Sequence, residues 1–218
     1  MRNDQSPPAE RPLRDETIDG FLGRLAARVP APGGGAVAGL HAAQAAALLG
    51  MVARYSTGEK YAAHAALVSR VTAACDDLCT TAVTLAEDDA RAFTAVTDAY
   101  RLPRGTDEEK AARSAAIARA LAAAATPPRE VICTALRTVE LAEELLPAAN
   151  RNVISDVAAA AEAARAAATT ARINVEINLT GIKDPLVRAE LTEAVHRVDV
   201  ITARADQITA AVRKEIAS

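Results

Sequence analysis

Alanine sets the terms for this chain, and stretches such as Ala115 to Ala125 and Ala158 to Ala168 consist mostly of it. Alanine is the best helix former and a poor strand former, and its small side chain lets helix axes approach closely. Half of the 218 residues are hydrophobic, yet only 2% are aromatic and none is Trp. That balance predicts an all-α fold, a compact bundle of about six helices with two long central helices. It also excludes some partners. A net charge of -3 gives no basic field for nucleic acid, and no aromatic platform exists for stacking single strands.

Residues 1–14 are polar, Pro-containing and of mixed charge, without the apolar stretch of a signal peptide, and are expected to form a flexible tail. Residues 15–218 then form a single helical domain. The most membrane-like run, Ala36 to Val52, is built from Ala and Gly and carries His41 and Gln44, which suits the central helix of a bundle better than a bilayer span. Three cysteines make no disulfide framework, so a cytoplasmic, reducing compartment is expected. Asp15 can cap a first helix that stops before Pro30 and Pro32. Gly33-Gly34-Gly35 opens a near-apolar helix to about Tyr55, and a long pattern runs from about Lys60 to Tyr100. Thr106 to Glu109 reads as a capping box, Thr126-Pro127 as another helix start, and that helix closes near Pro147. Asn150 begins a helix to about Leu179, and Asp184-Pro185 opens the last one, to Ile216.

The long pattern carries the clearest chemical signal. Val71, Cys75, Leu78, Ala82, Leu85, Asp89, Ala92 and Val96 recur at alternating spacings of four and three, the seam of a packed helix. Asp89 is its one acid, while Glu87 and Asp88 fall off the stripe. A carboxylate carried into a seam is costly unless bonded, and desolvation raises its pKa towards the range useful for proton transfer. The same position also suits an Asp that bonds a neighbouring helix end or an Arg.

Other segments are weaker. Gly33, Gly34 and Gly35 precede a helix N-terminus, which offers free N–H donors to a ligand, though the glycines equally allow a tight turn and a close helix crossing. Asn152, Ser155 and Asp156 lie at another helix start, where such residues are ordinary capping material. Asn174 and Asn178, one turn apart beside an apolar stripe, need partners from another helix or a heterocyclic ligand. Cys75 and Cys79 are also a turn apart, but His41, His64 and His196 show no matching spacing, so no metal site is expected.

Taken in order, these pieces resemble the folate cyclodeaminase family, which includes the cyclodeaminase half of formiminotransferase-cyclodeaminase and stand-alone methenyltetrahydrofolate cyclohydrolases. The resemblance rests on Ala31 to Ala38, on Met51 to Tyr61, on Glu87 to Phe93, which is similar to the family's D-x-D-A-x-A-F, and on Arg101 to Lys110. Asn150 to Asp156 and Asn174 to Leu179 complete it, so that it spans roughly residues 15 to 217. The chain departs from the pattern at Glu87, which stands for Asp, at Ala36, which stands for Ser, and at Glu176 and His41.

The resemblance implies a helical homodimer with a folate site near the subunit interface, no prosthetic group and a tetrahydrofolate derivative as substrate. It makes Asp89 the catalytic acid/base. Gly33, Gly34, Gly35, Glu87, Asn152, Ser155, Asp156, Asn174 and Asn178 would line the site. Lys60 and Arg101 are candidates for the glutamate carboxylates, with surface solvation the ordinary alternative. The implied reaction is conversion of 5-formimidoyltetrahydrofolate to 5,10-methenyltetrahydrofolate and ammonia. The alternatives are hydrolysis of 5,10-methenyltetrahydrofolate to 10-formyltetrahydrofolate, and a helical folate-binding or scaffold protein without turnover.

Overall fold

Punctuation residues fix most of the helix ends where the sequence places them. The computed structural model describes residues 12–218, and all regular structure among them is helical. In α4 (Asp107–Ala124), Thr106 Oγ1 accepts the Glu109 N–H at 3.2 Å, and Glu109 Oε2 accepts the Thr106 N–H at 3.1 Å, the predicted capping box. Pro127 and Pro128 start α5 (Thr126–Leu145). Asp184 Oδ1 accepts from Leu186 N at 2.9 Å at the head of α7 (Pro185–Ile216). With α2 (Gly34–Tyr55), α3 (Ala65–Arg101) and α6 (Ser155–Leu179), these make six helices of 18 residues or more.

Several boundaries differ from the sequence reading. The short α1 (Ile18–Ala26) is capped by Thr17, whose Oγ1 accepts from Gly20 N at 3.0 Å; Asp15 ends a 3-10 turn over Leu13–Asp15 instead. Residues 1–11 of the expected tail lie outside the described residues. Its last part is not loose, because Arg14 of that turn is bonded to Glu87 of α3. Glu59–His64 winds as a 3-10 turn, tighter than an α-helix, where the chain reverses between α2 and α3. Asn150 caps a second such turn, Arg151–Val153, ahead of α6.

The core is built from small residues at its centre and larger ones around it. α2 and α6 are the two central helices, and their buried faces are mostly alanine, from Ala36 to Ala53 and from Ala160 to Ala171. α5 and α7 pad this centre with Ile132, Leu141, Leu145, Val198, Ile201 and Ile208. By length and composition α2 could cross a membrane, but it lies in the middle of the bundle, with Leu49 and Val52 fully buried. Gly39 brings α2 against α3 so closely that a Cβ there would lie 2.8 Å from the Ala86 Cβ and 2.9 Å from its backbone N.

Close approaches along the helices give the directions. Gly35 meets Asp89, Gly39 meets Ala86 and Gly50 meets Cys75, so α3 runs antiparallel to α2. Gly34 lies beside Asn174, while Asn150 Nδ2 donates to Tyr55 O at 2.7 Å and its backbone N–H to Ser56 Oγ at 2.9 Å, so α6 is antiparallel to α2 as well. At a rise of 1.5 Å per residue, the 22 residues of α2 span about 33 Å and the 37 of α3 about 55 Å. α3 therefore overshoots the start of α2, and α4 folds back along the overshoot with Ala124 as its one buried residue.

Candidate active site

Asp89 sits where that overshoot begins. Its position in the α3 seam aims it at the first turn of α2, and a Cβ built on Gly35 would overlap the Asp89 carboxylate. Gly35 is therefore glycine for the sake of Asp89 as well as for the helix start. Burial pushes the Asp89 pKa up to about 6, and the backbone N–H of Ala36 pulls it partway back by favouring the anion. No guanidinium or ammonium among the described residues contributes to that balance.

Glu87 lies two residues, and so roughly 200° around the helix, from Asp89. It accepts from Arg14 N at 3.3 Å, Nε at 3.1 Å and Nη2 at 2.9 Å, and this guanidinium holds its carboxyl below the usual range. Glu87 thus fastens the 13–15 turn onto α3. The third wall at this end is α6. Asn174 Nδ2 donates to Thr170 O at 2.9 Å and lies 3.8 Å from where a Gly34 Cβ would be. Asn178 Nδ2 donates to Asn174 O at 3.0 Å and to Ala124 O at 3.3 Å, tying α6 to the end of α4.

An uncompensated half-buried acid, a glycine-opened helix N-terminus and two asparagines are therefore brought to one end of the bundle. The formiminotransferase-cyclodeaminase family model matches residues 17–197. The chain belongs to this family. It is 36% identical over 205 residues to the methenyltetrahydrofolate cyclohydrolase of Methylorubrum extorquens, covering 94% of this chain and 97% of that one. It is 33% identical over 184 residues to the formimidoyltransferase-cyclodeaminase of Mus musculus, covering 82% of this chain but 33% of that protein. The crystal structure of formiminotetrahydrofolate cyclodeaminase from Thermotoga maritima superposes with a TM-score of 0.82 at 27% identity, covering 94% of this chain and 99% of that one.

Most of the residues nominated from sequence separate into two groups in this family member, with Glu87 turned to Arg14 and Arg101 apart from both. Gly33, Gly34, Gly35, Asp89, Asn174 and Asn178 share one end. Lys60, Asn152, Ser155 and Asp156 share the other: Ala65 is about 36 Å along α3 from Asp89, and Ser155 is about 28 Å along α6 from Asn174. Arg101 lies about 18 Å beyond Asp89, out on the overshoot, and pairs with Asp98 at 3.0 Å. Among the described residues no three His, Cys, Asp or Glu side chains are grouped to hold a metal ion. Cys75 is a packing residue whose thiol burial pushes up to about 12.

Two exposures near Asp89 could not be read from the sequence. Phe93, one turn past Asp89 on the same face, projects beyond the start of α2 and is 50% exposed. Ile173 and Ile177, beside Asn174, are 56% and 63% exposed. Phe93 closes the segment that resembles the family's D-x-D-A-x-A-F, and that was the available signal. Exposed apolar side chains beside an uncompensated acid leave a surface suited to a flat, partly apolar ligand.

Proposed function

We propose that this chain is an enzyme of folate one-carbon chemistry that exchanges the substituent on the carbon carried between N5 and N10, with Asp89 as the proton shuttle. The observation that carries the reading is the Asp89 carboxylate, half-buried against Gly35 with a pKa near 6. Such a group can take up and release a proton near neutral pH.

In the cyclohydrolase reaction, the direction favoured by the 36% identical relative of equal extent, Asp89 removes a proton from water as its oxygen bonds to the methenyl carbon. It returns that proton to N5 as the C–N5 bond breaks, and the hydroxyl proton leaves to solvent as the formyl C=O forms on N10. In the cyclodeaminase reaction, favoured by the Thermotoga structure of similar length, N10 attacks the formimidoyl carbon. The imino nitrogen takes one proton from solvent as the carbon is attacked, and Asp89 takes the N10 proton and passes it to that nitrogen, now an amine, which leaves as ammonia. Both reactions pass a cationic methenyl carbon, which a nearby carboxylate stabilises. Asn174 and Asn178 make their side-chain bonds through Nδ2, so their carbonyl ends are suited to accept from the heterocycle's N–H groups.

The reading includes a homodimer in the cytoplasm. Lys60, Asn152, Ser155 and Asp156 are too far from Asp89 for one folate to reach both groups in one chain. A two-fold pairing with opposite ends together would set the Asp89 end of one copy against the Lys60 end of its partner. The test is to incubate the purified protein separately with 5,10-methenyl- and 5-formimidoyltetrahydrofolate and to follow methenyl absorbance. An enzyme-dependent fall with the first identifies the hydrolase, and a rise with the second the cyclodeaminase. No enzyme-dependent change in either sinks the reading.

A further inference from the structure

The first turn of α2, which meets Asp89, is the part of that helix least able to hold itself in place. Gly33, at the cap position, has no side chain to bond a free N–H, and Gly34 and Gly35 follow it. Each glycine inside a helix costs about 1 kcal/mol relative to alanine, and an uncapped start leaves its first N–H groups without partners. The close backbone contact that locks α2 to α3 comes one turn later, at Gly39.

Packing of the chain that enters α2 does not make up the difference. A hollow of about 460 Å³ lies between that chain, at Ala31 and Pro32, and the Glu87, Ala90, Arg91 and Thr94 face of α3. What spans it is polar. The Leu13–Asp15 turn, which has no buried residue, is clasped to α3 by the three hydrogen bonds from Arg14 to Glu87 and a fourth from Arg14 Nη2 to Thr84 Oγ1 at 3.3 Å. Glu16 then pairs with Arg24 near the end of α1, and Phe21 between them is buried. From Glu87 a brace thus runs through Arg14, Glu16 and Arg24 to the loop that ends at Gly33. Both of its ends belong to the Asp89 site, since Glu87 is on the helix that carries Asp89 and Gly33 opens the turn that meets it.

We propose that Arg14 and Glu87 are positioning residues whose clasp, through this brace, holds the first turn of α2 against the Asp89 carboxylate. Glu87 then serves the reaction through the fold and not as a substrate ligand. That Asp89 shuttles protons rests on the folate reading above; that the clasp places it does not. The Ala36 N–H in that turn favours the Asp89 anion, and among the described residues no charged side chain of α2, α3 or α6 enters the balance. Loosening the brace withdraws that donor and raises the Asp89 pKa.

Carbon-13 NMR titration of the Asp89 carboxyl in the full-length protein tests this without substrate. Glu87→Leu breaks all three bonds to Arg14 and is expected to raise the Asp89 midpoint by roughly half a unit, with Arg14→Lys shifting it less. If the clasp acted by charge alone, Glu87→Leu would leave a free Arg14 cation and lower the midpoint, so an unchanged or lowered value overturns the proposal. Arg14→Ala, at a side chain 48% exposed, spares the core. There amide exchange at Ala36 is expected to quicken about tenfold while Val52, at the far end of α2, keeps its rate, and an unchanged Ala36 rate also overturns the proposal. With the folate that the wild type turns over, both variants lower kcat about tenfold and change KM less than about threefold, and the acid limb of the rate profile follows the NMR midpoint. An effect confined to KM makes the pair a ligand contact and overturns the positioning role. A wild type inactive on both folates refutes the enzyme reading instead, and the titration and amide exchange still decide the brace.

Discussion

The two ends of the α2–α3 pair handle an aspartate in opposite ways. Where α2 ends, Arg54 bonds both oxygens of Asp76, and the two side chains are 52% and 56% exposed. That acid has a cation and water around it. Where α2 begins, Gly35 vacates the space into which Asp89 fits, and only a backbone N–H supports the anion against burial. An acid held by a cation stays ionised; one held by shape can change its charge near neutral pH. Glu87 shows that the distinction is not one of neighbourhood. It lies two residues from Asp89 on the same helix and is of the first kind, held ionised by Arg14.

The sharpest way to break the comparison is to remove the titrating group. Asp89→Asn is expected to lower kcat about 10²- to 10⁴-fold, the range for loss of a general acid–base, with the helical content unchanged by circular dichroism. Residual activity within tenfold of wild type would remove Asp89 from the chemistry. Gly35→Ala comes next. Its Cβ would occupy the carboxylate's place, so Asp89 must swing away or the helices must part, and a displacement of that order is expected to cost about 10²-fold in kcat. Gly23→Ala is the matching control, because its Cβ meets nothing within 4 Å and helix propensity alone predicts a small gain in stability. A Gly35→Ala enzyme with wild-type kcat would show that the carboxylate does not need the place it occupies.

This contrast was only half visible in the sequence. Alanine content and capping residues announced the helices, and the four–three spacing picked out Asp89 from its acidic neighbours because one side of α3 is otherwise apolar. Spacing on one helix does not report partners from another element, so Arg14 on Glu87 and Arg54 on Asp76 stayed hidden. For the same reason the sequence does not report that long antiparallel helices carry Asn152, Ser155, Asp156 and Lys60 to the end of the chain opposite its own Asp89. The 3-10 turns at 59–64 and 151–153 were missed because the need to reverse direction, which local propensity does not encode, selects the tighter winding.

Stability gives a smaller effect of opposite sign. The folded-state pKa of Asp89, about 6, lies above its ordinary value of 3.8, so folding favours the protonated form. Below about pH 4 both states are protonated and burial of the group costs nothing extra. As pH rises through 4 to 6 the native state must either keep a proton or bury a charge, and stability falls; above pH 6 the loss is complete, about 3 kcal/mol. Asp89→Asn carries no such loss. Urea unfolding should therefore find the variant more stable than the parent by up to about 3 kcal/mol at pH 8, with the difference closing near pH 4. Equal stabilities across that range would mean that water or a partner group already compensates the charge.

The smallest effect belongs to the acid at the other end. Asp76→Asn removes a carboxylate that Arg54 holds at 2.6 and 2.8 Å, but both groups are mostly in water, and Arg54 keeps its bond to Gly50 O at 3.3 Å. Desolvation is slight and solvent screens the pair, so its loss is expected to change stability little. The difference from wild type should shrink further in high salt, since exposed pairs are screened while buried ones are not. Urea unfolding in low and high salt checks this. A clear loss that persists in salt would mean that the Arg54–Asp76 pair is a structural clamp, and that the two ends of α2 differ in the job each acid does rather than in how much it is asked to do.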